Sequence, residues 1–207
     1  MAKKKIALFG GSFNPVHSGH IRLVENIAKA EKLDRVIVMP TNISPFKAGK
    51  NGYIADAEHR LNMCRLAFEN LPYAEISTYE TDKTDISFTI NTIEHFKKIY
   101  PDDKLYLIVG SDGVTSFTKW KDFDKILSFC TLIAASREKD DKDELLKAAE
   151  NLRKYGEVII IDTEPFEVSS TQIREKIINC EDISCYMPDN VVRYILNNHL
   201  YTENSIK

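Results

Sequence analysis

The chain has 207 residues, 43% of them hydrophobic and 29% charged, and a formal net charge of −3 at pH 7. This composition is typical of a globular protein, and the slightly negative charge excludes a general electrostatic attraction to nucleic acid. The apolar run that follows the basic start of the chain is too short for a secretory signal, and no segment approaches the length that spans a membrane.

Strand-like and helix-like patterns alternate along the first part of the chain. Residues 41–55 lack periodicity and contain Pro45, Gly49 and Gly52, so they predict a loop long enough to cover a site. The other elements predicted here are a strand at 6–9, a helix over 21–28, a strand at 35–40, a helix over 57–71 and a strand at 74–79.

The same alternation continues to the end of the chain. Residues 104–109 form the clearest interior strand, and Ser169 with Gln172 matches a capping box at the start of a helix. The further predictions are a helix over 90–100, a strand at 131–135, a helix over 141–155 with Gly156 as its cap, a strand at 158–161 and a helix from Pro188.

Such an alternation predicts an α/β protein with a mainly parallel sheet. We expect a single three-layer, Rossmann-like domain over 1–207, in which 165–200 is a small C-terminal helical portion. In open parallel sheets, ligands bind beyond the carboxyl ends of the strands, near the point where the strand order reverses. Three stretches lie at such ends, and we expect them to converge: 10–20, 110–112 and 169–174.

Residues 10–20 are the most informative stretch, because two glycines and two histidines lie where a strand turns into a helix. Glycine lets the backbone approach a ligand closely, and a helix N-terminus offers N–H groups and the positive end of a dipole. His17 and His20 are three positions apart, so both rings can face the same anion. The stretch therefore predicts a polyphosphate site.

Other interpretations of this stretch are weaker. It has neither the Gly-x-Gly-x-x-Gly dinucleotide fingerprint nor the Gly-Lys-Ser/Thr end of a P-loop. A pair of histidines at this spacing is also found in zinc sites, but no third ligand lies at suitable spacing nearby. The other alternative is that both histidines are buried and have a purely structural role. Ser12 lies in no Gly-x-Ser-x-Gly elbow, so we predict neither a covalent nucleophile nor a protein-bound metal.

Two motifs resemble those of the nucleotidyltransferase superfamily that contains the adenylyltransferases of NAD and coenzyme A synthesis. Residues 11–20, Gly-Ser-Phe-Asn-Pro-Val-His-Ser-Gly-His, look like its opening motif. Residues 168–174 are similar to its late Ile-Ser-Ser-Thr-x-x-Arg motif, with Val168 in place of isoleucine. The resemblance implies that a substrate phosphate attacks the α-phosphorus of a nucleoside triphosphate directly and expels pyrophosphate.

The resemblance also implies roles for individual residues. His17 and His20 donate hydrogen bonds to the triphosphate, and Arg174 binds it as a fork. Mg²⁺ bridges the phosphates, held mainly through waters and substrate oxygens. Contacts with ATP are implied for Gly10, Gly11, Ser12, Phe13, Gly110, Asp112, Ser169, Ser170 and Thr171.

Two of the implied site residues have ordinary alternatives. The resemblance implies that Lys47 is an extra cation for the phosphates, because the matching segment of the superfamily reads Pro-Pro-His-Lys. In this chain Phe46 stands in place of the histidine. The alternative is that Lys47 is an ordinary exposed lysine. Asp112 resembles the aspartate of a Gly-x-Asp segment that contacts the nucleotide ribose, and a turn residue at the end of a strand is the alternative.

Further segments look like those of bacterial nicotinate-mononucleotide adenylyltransferases. Residues 87–93 are similar to their Ser-Tyr-Thr-x-Asp-Thr-Leu segment, with Phe88 and Asn91 as departures. Residues 110–120 resemble their Gly-Ala-Asp…Trp segment, and residues 188–201 resemble their C-terminal end. The resemblance implies nicotinate mononucleotide as the acceptor.

Thr89 and Trp120 are the predicted acceptor-binding residues. The flat face of Trp120, the only tryptophan, can stack on a pyridine ring, with ordinary packing as the alternative. Thr89 can donate to a ring carboxylate, but no arginine nearby in sequence identifies one. Nicotinamide mononucleotide or phosphopantetheine as acceptor, a cytidylyl donor and a catalytically silent nucleotide-binding regulator therefore stay open.

The cysteines predict a reducing compartment. The four cysteines form no Cys-x-x-Cys pair, and Cys64 and Cys130 lie in apolar patterns where a thiol behaves as a small hydrophobe. We therefore expect a cytoplasmic protein. Its expected partners are ATP and a pyridine mononucleotide, with no nucleic acid and no membrane, and a homo-oligomer stays open.

Overall fold

The computed structural model describes residues 3–42, 53–135, 142–163 and 168–202. In these ranges the strands are β1 (Lys5–Gly11), β2 (Arg35–Pro40), β3 (Ala74–Ile76), β4 (Lys104–Val109), β5 (Thr131–Ala135) and β6 (Val158–Ile161). The α-helices in the same ranges are α1 (Ser18–Glu31), α2 (Ala57–Phe68), α3 (Thr89–Ile99), α4 (Ser111–Thr115), α5 (Phe123–Phe129), α6 (Lys142–Leu152), α7 (Ser170–Ile178) and α8 (Asp189–Asn197).

The six described strands form one parallel sheet in the order β3-β2-β1-β4-β5-β6. Phe9 of β1 is paired with Val38 of β2 on one side and with Ile108 of β4 on the other. The strand order therefore reverses at β1, and a crevice opens between the carboxyl ends of β1 and β4. The predicted α/β, Rossmann-like fold is confirmed.

Helices cover both faces of the sheet because successive strand residues point to opposite faces. In β1, Ala7 and Phe9 join a hydrophobic cluster with residues of α1, α2, α7 and α8. Ile6 and Leu8 join a second cluster with residues of α3, α4, α5 and α6. The near-continuous apolar sequence of β1 follows from this burial on both sides.

The C-terminal residues pack on the first of these clusters. Val191 and Ile195 of α8 are fully buried, and Leu200 and Tyr201 lie in the same cluster. The hydroxyl of Tyr194 contacts Nδ1 of His59 at 3.0 Å, which joins α8 to α2. The predicted C-terminal helical portion is therefore present as α7 and α8. In the ranges that the structure describes, no helix has the length and apolar character needed to cross a membrane.

The structure corrects several predicted boundaries. The segment between β4 and β5 contains α4 and α5, which were not predicted because each is too short to show a helical period. The helix predicted to reach residue 155 ends at Leu152, four residues before Gly156. A Cβ at Gly156 would collide with the carbonyl oxygen of Leu127. Close packing against α5, and not the end of a helix, therefore explains Gly156. Strand β3 ends at Ile76, and residues 43–52 of the predicted loop lie outside the described residues.

Candidate active site

The turn after β1 is held in place by the side chain of Phe13. This residue is buried with φ of 44°, a left-handed conformation that is uncommon for a bulky side chain. Its ring packs edge-on against Phe9, with ring centroids 5.3 Å apart, and against His20, at 5.0 Å. A Cβ at Gly10 would meet no atom within 4 Å, so the backbone there borders open space that a ligand can enter.

The two histidines of the motif lie against each other at the start of α1. Their ring centroids are 3.8 Å apart, and the backbone N–H of His17 donates to Nδ1 of His20 at 3.2 Å. Because that donor uses the lone pair on Nδ1, the neutral ring of His20 carries its proton on Nε2. His17 is buried and His20 is half-buried, so His20 is the more accessible donor toward an anion.

The late motif begins α7 with the predicted capping box. The hydroxyl oxygen of Ser169 accepts from the backbone N–H of Gln172 at 3.2 Å, and the backbone N–H of Ser169 donates to Oε1 of Gln172 at 2.9 Å. These two hydrogen bonds fix the first turn of the helix. The N-terminal end of α7 is thereby positioned with its positive dipole end beside Ser170 and Thr171.

This late motif contacts the early one directly. The hydroxyl of Ser170 donates to the carbonyl of Pro15 at 2.9 Å. Arg174 donates from Nη1 to the carbonyl of Asn14 at 2.8 Å and from Nη2 to Oγ1 of Thr171 at 3.1 Å. Of the three stretches that were expected to converge, 10–20 and 169–174 are therefore in direct contact, and together they present N–H donors and a guanidinium, which suit a polyanion.

Gly19 makes this contact sterically feasible. A Cβ at this position would lie 3.0 Å from Nδ1 of His17 and 3.2 Å from Cγ1 of Val168, closer than side chains ordinarily approach. Because glycine has no Cβ, Val168 can pack beside the ring of His17. Gly19 of the early motif therefore allows that motif to pack against the late motif.

A cavity of about 200 Å³ lies at the carboxyl ends of β1 and β4, and residues 10–12 line it, whereas His17, His20 and Arg174 do not. Thr89, the first residue of α3, and Trp120 line it together with the turn after β1. The ring of Trp120 also packs on Phe117, with centroids 4.9 Å apart, so packing and exposure to the cavity occur together. The predicted site residues among the cavity lining are Gly10, Gly11, Ser12, Thr89 and Trp120.

Gly110 and Asp112 of the third stretch are not among the residues that line the cavity, which include their neighbour Val109. Gly110 is the N-cap of α4, and Asp112 is an exposed residue of that helix whose carbonyl accepts from the backbone and hydroxyl of Ser116. Lys47 and Phe46 lie outside the described residues.

Glu80, which no sequence pattern indicated, also lines the cavity. Its side chain is buried, and the hydroxyl of Thr92 donates to its Oε1 at 2.8 Å. Burial raises the pKa of the Glu80 carboxyl, and hydrogen bonds from neighbouring hydroxyls oppose that shift only in part. The segment between β3 and α3 has no periodicity, so no local signal pointed to this residue.

Arg60 of α2 was also missed. It is 2% exposed, and its guanidinium donates to three backbone carbonyls, among them that of Ser12 at 3.0 Å. A signal was present, because Arg60 lies one turn before Cys64 on the face that the apolar pattern predicts to be buried. A charged residue on such a face needs polar partners, and these are supplied by other segments.

The described residues provide donors and positive charge, and no metal cage. Within the ranges that the structure covers, no group of three or more His, Cys, Asp or Glu side chains could hold a metal ion. Cys64 and Cys130 are buried thiols, and burial raises the pKa of the Cys130 thiol to about 12. Neither is therefore an accessible thiolate.

Comparisons with known proteins give relatives over nearly the whole chain. Residues 8–176 match the cytidylyltransferase-like family. The chain is 36% identical over 200 residues to a probable nicotinate-nucleotide adenylyltransferase of Thermoanaerobacter sp. (strain X514), covering 95% of this chain and 94% of that protein. It is 37% identical over 203 residues to a protein of the same description from Carboxydothermus hydrogenoformans, covering 97% and 100%.

A solved structure has the same fold. The nicotinic acid mononucleotide adenylyltransferase of Plasmodium falciparum, complexed with NaAD, superposes with a TM-score of 0.77 over 96% of this chain and 97% of that chain. The two sequences are 19% identical, so the likeness concerns the fold alone.

Proposed function

Because the chain belongs to the cytidylyltransferase-like family, we propose that it transfers the adenylyl group of ATP to nicotinate mononucleotide, giving deamido-NAD and pyrophosphate. The observation that carries this proposal is the contact between the two motifs, in which Arg174 and Ser170 bind the carbonyls of Asn14 and Pro15. We infer that this contact builds one anion-binding surface, and residues 10–12 of the same stretch line a cavity that has Trp120 as an aromatic wall. Relatives at 36% and 37% identity are named for this reaction.

The triphosphate is bound by donors from both motifs. The Nε2–H of His20, the guanidinium of Arg174 and the N-terminal end of α7, with Ser169, Ser170 and Thr171, face its oxygens. His17 is proposed as a second donor to the triphosphate, and its backbone N–H also orients His20. The amides of residues 10–13 approach the nucleotide. These groups stabilise charge that develops on the α-phosphate and on the leaving pyrophosphate.

The reaction proceeds by direct displacement. A phosphate oxygen of the mononucleotide forms a bond to the α-phosphorus, and the bond from that phosphorus to the oxygen bridging to the β-phosphate breaks, so that the electron pair leaves with pyrophosphate. No side chain becomes covalently modified. The contribution of the protein is therefore to align the two substrates and to stabilise the transition state electrostatically.

The cavity holds the pyridine ring of the acceptor. Trp120 stacks on the ring, and Thr89 donates to its carboxylate at the N-terminal end of α3. Asp112 lies in α4, shortly after the end of β4, and is proposed to contact the nucleotide ribose. The alternatives with nicotinamide mononucleotide, phosphopantetheine, a cytidylyl donor or a silent regulator are not favoured, because the relatives are named as probable nicotinate-nucleotide adenylyltransferases.

A divalent cation accompanies ATP in this reaction, and we propose that it is Mg²⁺. The site fits such an ion: the described donors are N–H groups and a guanidinium, with no cluster of three ligating side chains, so phosphate oxygens and waters would hold the ion. When bound, Mg²⁺ neutralises charge on the phosphates. Lys47, which lies outside the described residues, is proposed as an additional cation.

Several broader expectations stay predictions of this proposal. The chain is expected to act as one domain over 1–207, in the cytoplasm and without a nucleic-acid partner. Its oligomeric state stays open, including a homo-oligomer.

A pyrophosphate-release assay with ATP and Mg²⁺ tests the reaction. We expect kcat/KM to be highest with nicotinate mononucleotide in a panel that also contains nicotinamide mononucleotide and phosphopantetheine. A higher value with either other acceptor would overturn the choice of acceptor. ATP binding without pyrophosphate release from any of them would identify a silent regulator instead.

A further inference from the structure

Arg60 is a buried cation that belongs to neither of the two motifs of the proposed adenylyl transfer. Its side chain leaves α2 toward the sheet and is 2% exposed. Within the described ranges it forms no ion pair with a carboxylate, and its hydrogen-bond acceptors are backbone carbonyls. Burial lowers the pKa of this guanidinium, yet an arginine is not deprotonated in proteins, so the buried charge persists.

The three carbonyls belong to separate segments of the chain. Nη1 donates to Ser12 at 3.0 Å and to Thr41 at 2.7 Å, and Nε donates to Ala55 at 2.9 Å. Ser12 is part of the turn that lines the cavity after β1, and Thr41 directly follows β2. One planar group thus joins the ends of two neighbouring strands to the segment that enters α2.

A second hydrogen bond strengthens the same connection. The backbone N–H of Thr41 donates to the carbonyl of Gly11 at 2.8 Å, so the turn after β1 is held at Gly11 and at Ser12. Both residues border the cavity. A shift of Arg60 would therefore be transmitted to the backbone that approaches the nucleotide.

Burial of a charge that has no hydrogen-bonded carboxylate within the described ranges is unfavourable even with the charge of Asp56 nearby, and hydrophobic side chains of similar volume often stabilise a fold better. Stability alone therefore does not explain an arginine at this position. An anion bound at the turn would gain from a positive charge only one hydrogen bond away from Ser12, in surroundings that exclude water. The turn would also be preorganised before the nucleotide binds.

We propose that Arg60 is a positioning residue of the transfer site, which fixes the nucleotide-binding turn through the carbonyls of Ser12, Thr41 and Ala55 and adds a buried positive charge beneath the bound triphosphate. The inference rests on the proposed function and extends it to a residue outside the two motifs.

Two substitutions separate the geometry from the charge. Arg60→Lys keeps the charge but lacks the planar fork, and Arg60→Met lacks both. We expect kcat for pyrophosphate release to fall about tenfold to a hundredfold in each variant, the scale of a small misplacement of reacting groups. The Kd for ATP, measured by calorimetry, should rise more in Arg60→Met than in Arg60→Lys.

Met63→Ala is the matched control, because it opens a cavity on the buried face of the same helix without removing a partner of the three carbonyls. All assays are made at a temperature where circular dichroism shows each variant folded. If Arg60→Met does not fold, Arg60→Lys decides the question. Values of kcat and ATP Kd within about twofold of wild type in the folded Arg60 variants, or equal losses in Met63→Ala, would overturn the inference.

The two proposals fail in different ways. Wild-type protein that binds ATP but releases no pyrophosphate with nicotinate mononucleotide contradicts the proposed function, and the ATP affinities of the Arg60 variants then decide the role of Arg60 alone. Wild-type protein that does not bind ATP contradicts both.

Discussion

At the level of single residues, the chemistry of the site depends on which nitrogen of His20 carries the proton. The backbone N–H of His17 is a donor under all conditions, and it points to Nδ1 of His20. This contact leaves the proton on Nε2, the nitrogen that can then donate to a phosphate oxygen. A backbone group thus selects the tautomer, in the way that neighbouring hydrogen bonds commonly do for functional histidines.

His20→Ala removes this donor, and we expect kcat to fall about 10²-fold or more, the scale of losing one transition-state donor. The change is measured in the pyrophosphate-release assay at saturating ATP and nicotinate mononucleotide. His199→Ala, at an exposed position near the C-terminal end of the described chain, is the matched control. A turnover close to wild type in His20→Ala would show that this ring does not act on the transition state.

Glu80 is the second residue whose protonation depends on its surroundings. Burial raises the pKa of its carboxyl above the ordinary value of 4.5, while Thr92 and the charge of Lys83 lower it. A carboxyl with a higher pKa in the folded state binds protons on folding, so its contribution to stability is present at low pH and is lost as the pH rises through the folded pKa.

Glu80→Gln should therefore gain stability relative to wild type as the pH rises above about 4.5, because the amide has no charge to desolvate. Urea unfolding of both proteins between about pH 4 and pH 8 measures the difference. Glu150→Gln, at an exposed position of α6, is the matched control. A constant difference between wild type and Glu80→Gln over this range would contradict a raised pKa.

At the level of elements, the first turn of α7 combines two tasks. Ser169 caps the helix through Gln172, and the next residues present the helix N-terminus to the site. Ser170 meanwhile ties that turn to Pro15 of the early motif. The stability of one helix end and the geometry of the anion site are therefore coupled through neighbouring residues.

Ser169→Ala should lower the free energy of unfolding by about 1 kcal/mol, the usual effect of losing an N-cap acceptor. Urea denaturation followed by circular dichroism measures it. Ser128→Ala, whose hydroxyl donates to the carbonyl of Lys125 near the end of α5, should have a smaller effect.

A second substitution separates the two tasks of this helix end. Ser169→Asp keeps an acceptor for capping and should retain stability, but its negative charge should raise the KM for ATP. If Ser169→Asp left the KM for ATP unchanged, the N-terminal end of α7 would not face the triphosphate.

At the level of the whole molecule, hydrophobic clusters on the two faces of the sheet share the same strands. Ile195 belongs to one cluster, and Trp120 packs on the other. Since β1 and β4 contribute residues to both clusters, a loss of packing on one face of the sheet should also destabilise the packing on the other face. This coupling is what a single domain over 1–207 requires.

Ile195→Ala should lower the free energy of unfolding by about 2–5 kcal/mol, because it leaves a cavity at a fully buried position. The fluorescence of Trp120 and far-UV circular dichroism should report the same shifted urea midpoint. Leu196→Ala, at a side chain that is 57% exposed, is the control. A Trp120 transition that did not move in Ile195→Ala would indicate two independently unfolding domains.

The sequence was sufficient for most elements and for the two motifs, because both depend on residues that are close in the chain. Apolar runs such as 104–109 and the capping box at Ser169 are read from neighbours within one or two turns. Short helices such as α4 could not be predicted from the sequence, since five residues are too few to show a helical period. Their burial comes from contacts with distant segments.

The tertiary structure alone decided which distant residues form the site. Arg174 binds Asn14 across 160 positions, and Arg60 joins the carbonyls of Ser12, Thr41 and Ala55 from three segments. Such contacts have no fixed spacing in sequence, because they arise from the order of strands in the sheet and from the packing of helices on it. Local sequence thus determined the elements and the chemistry they contain, and the parallel sheet determined which of them meet.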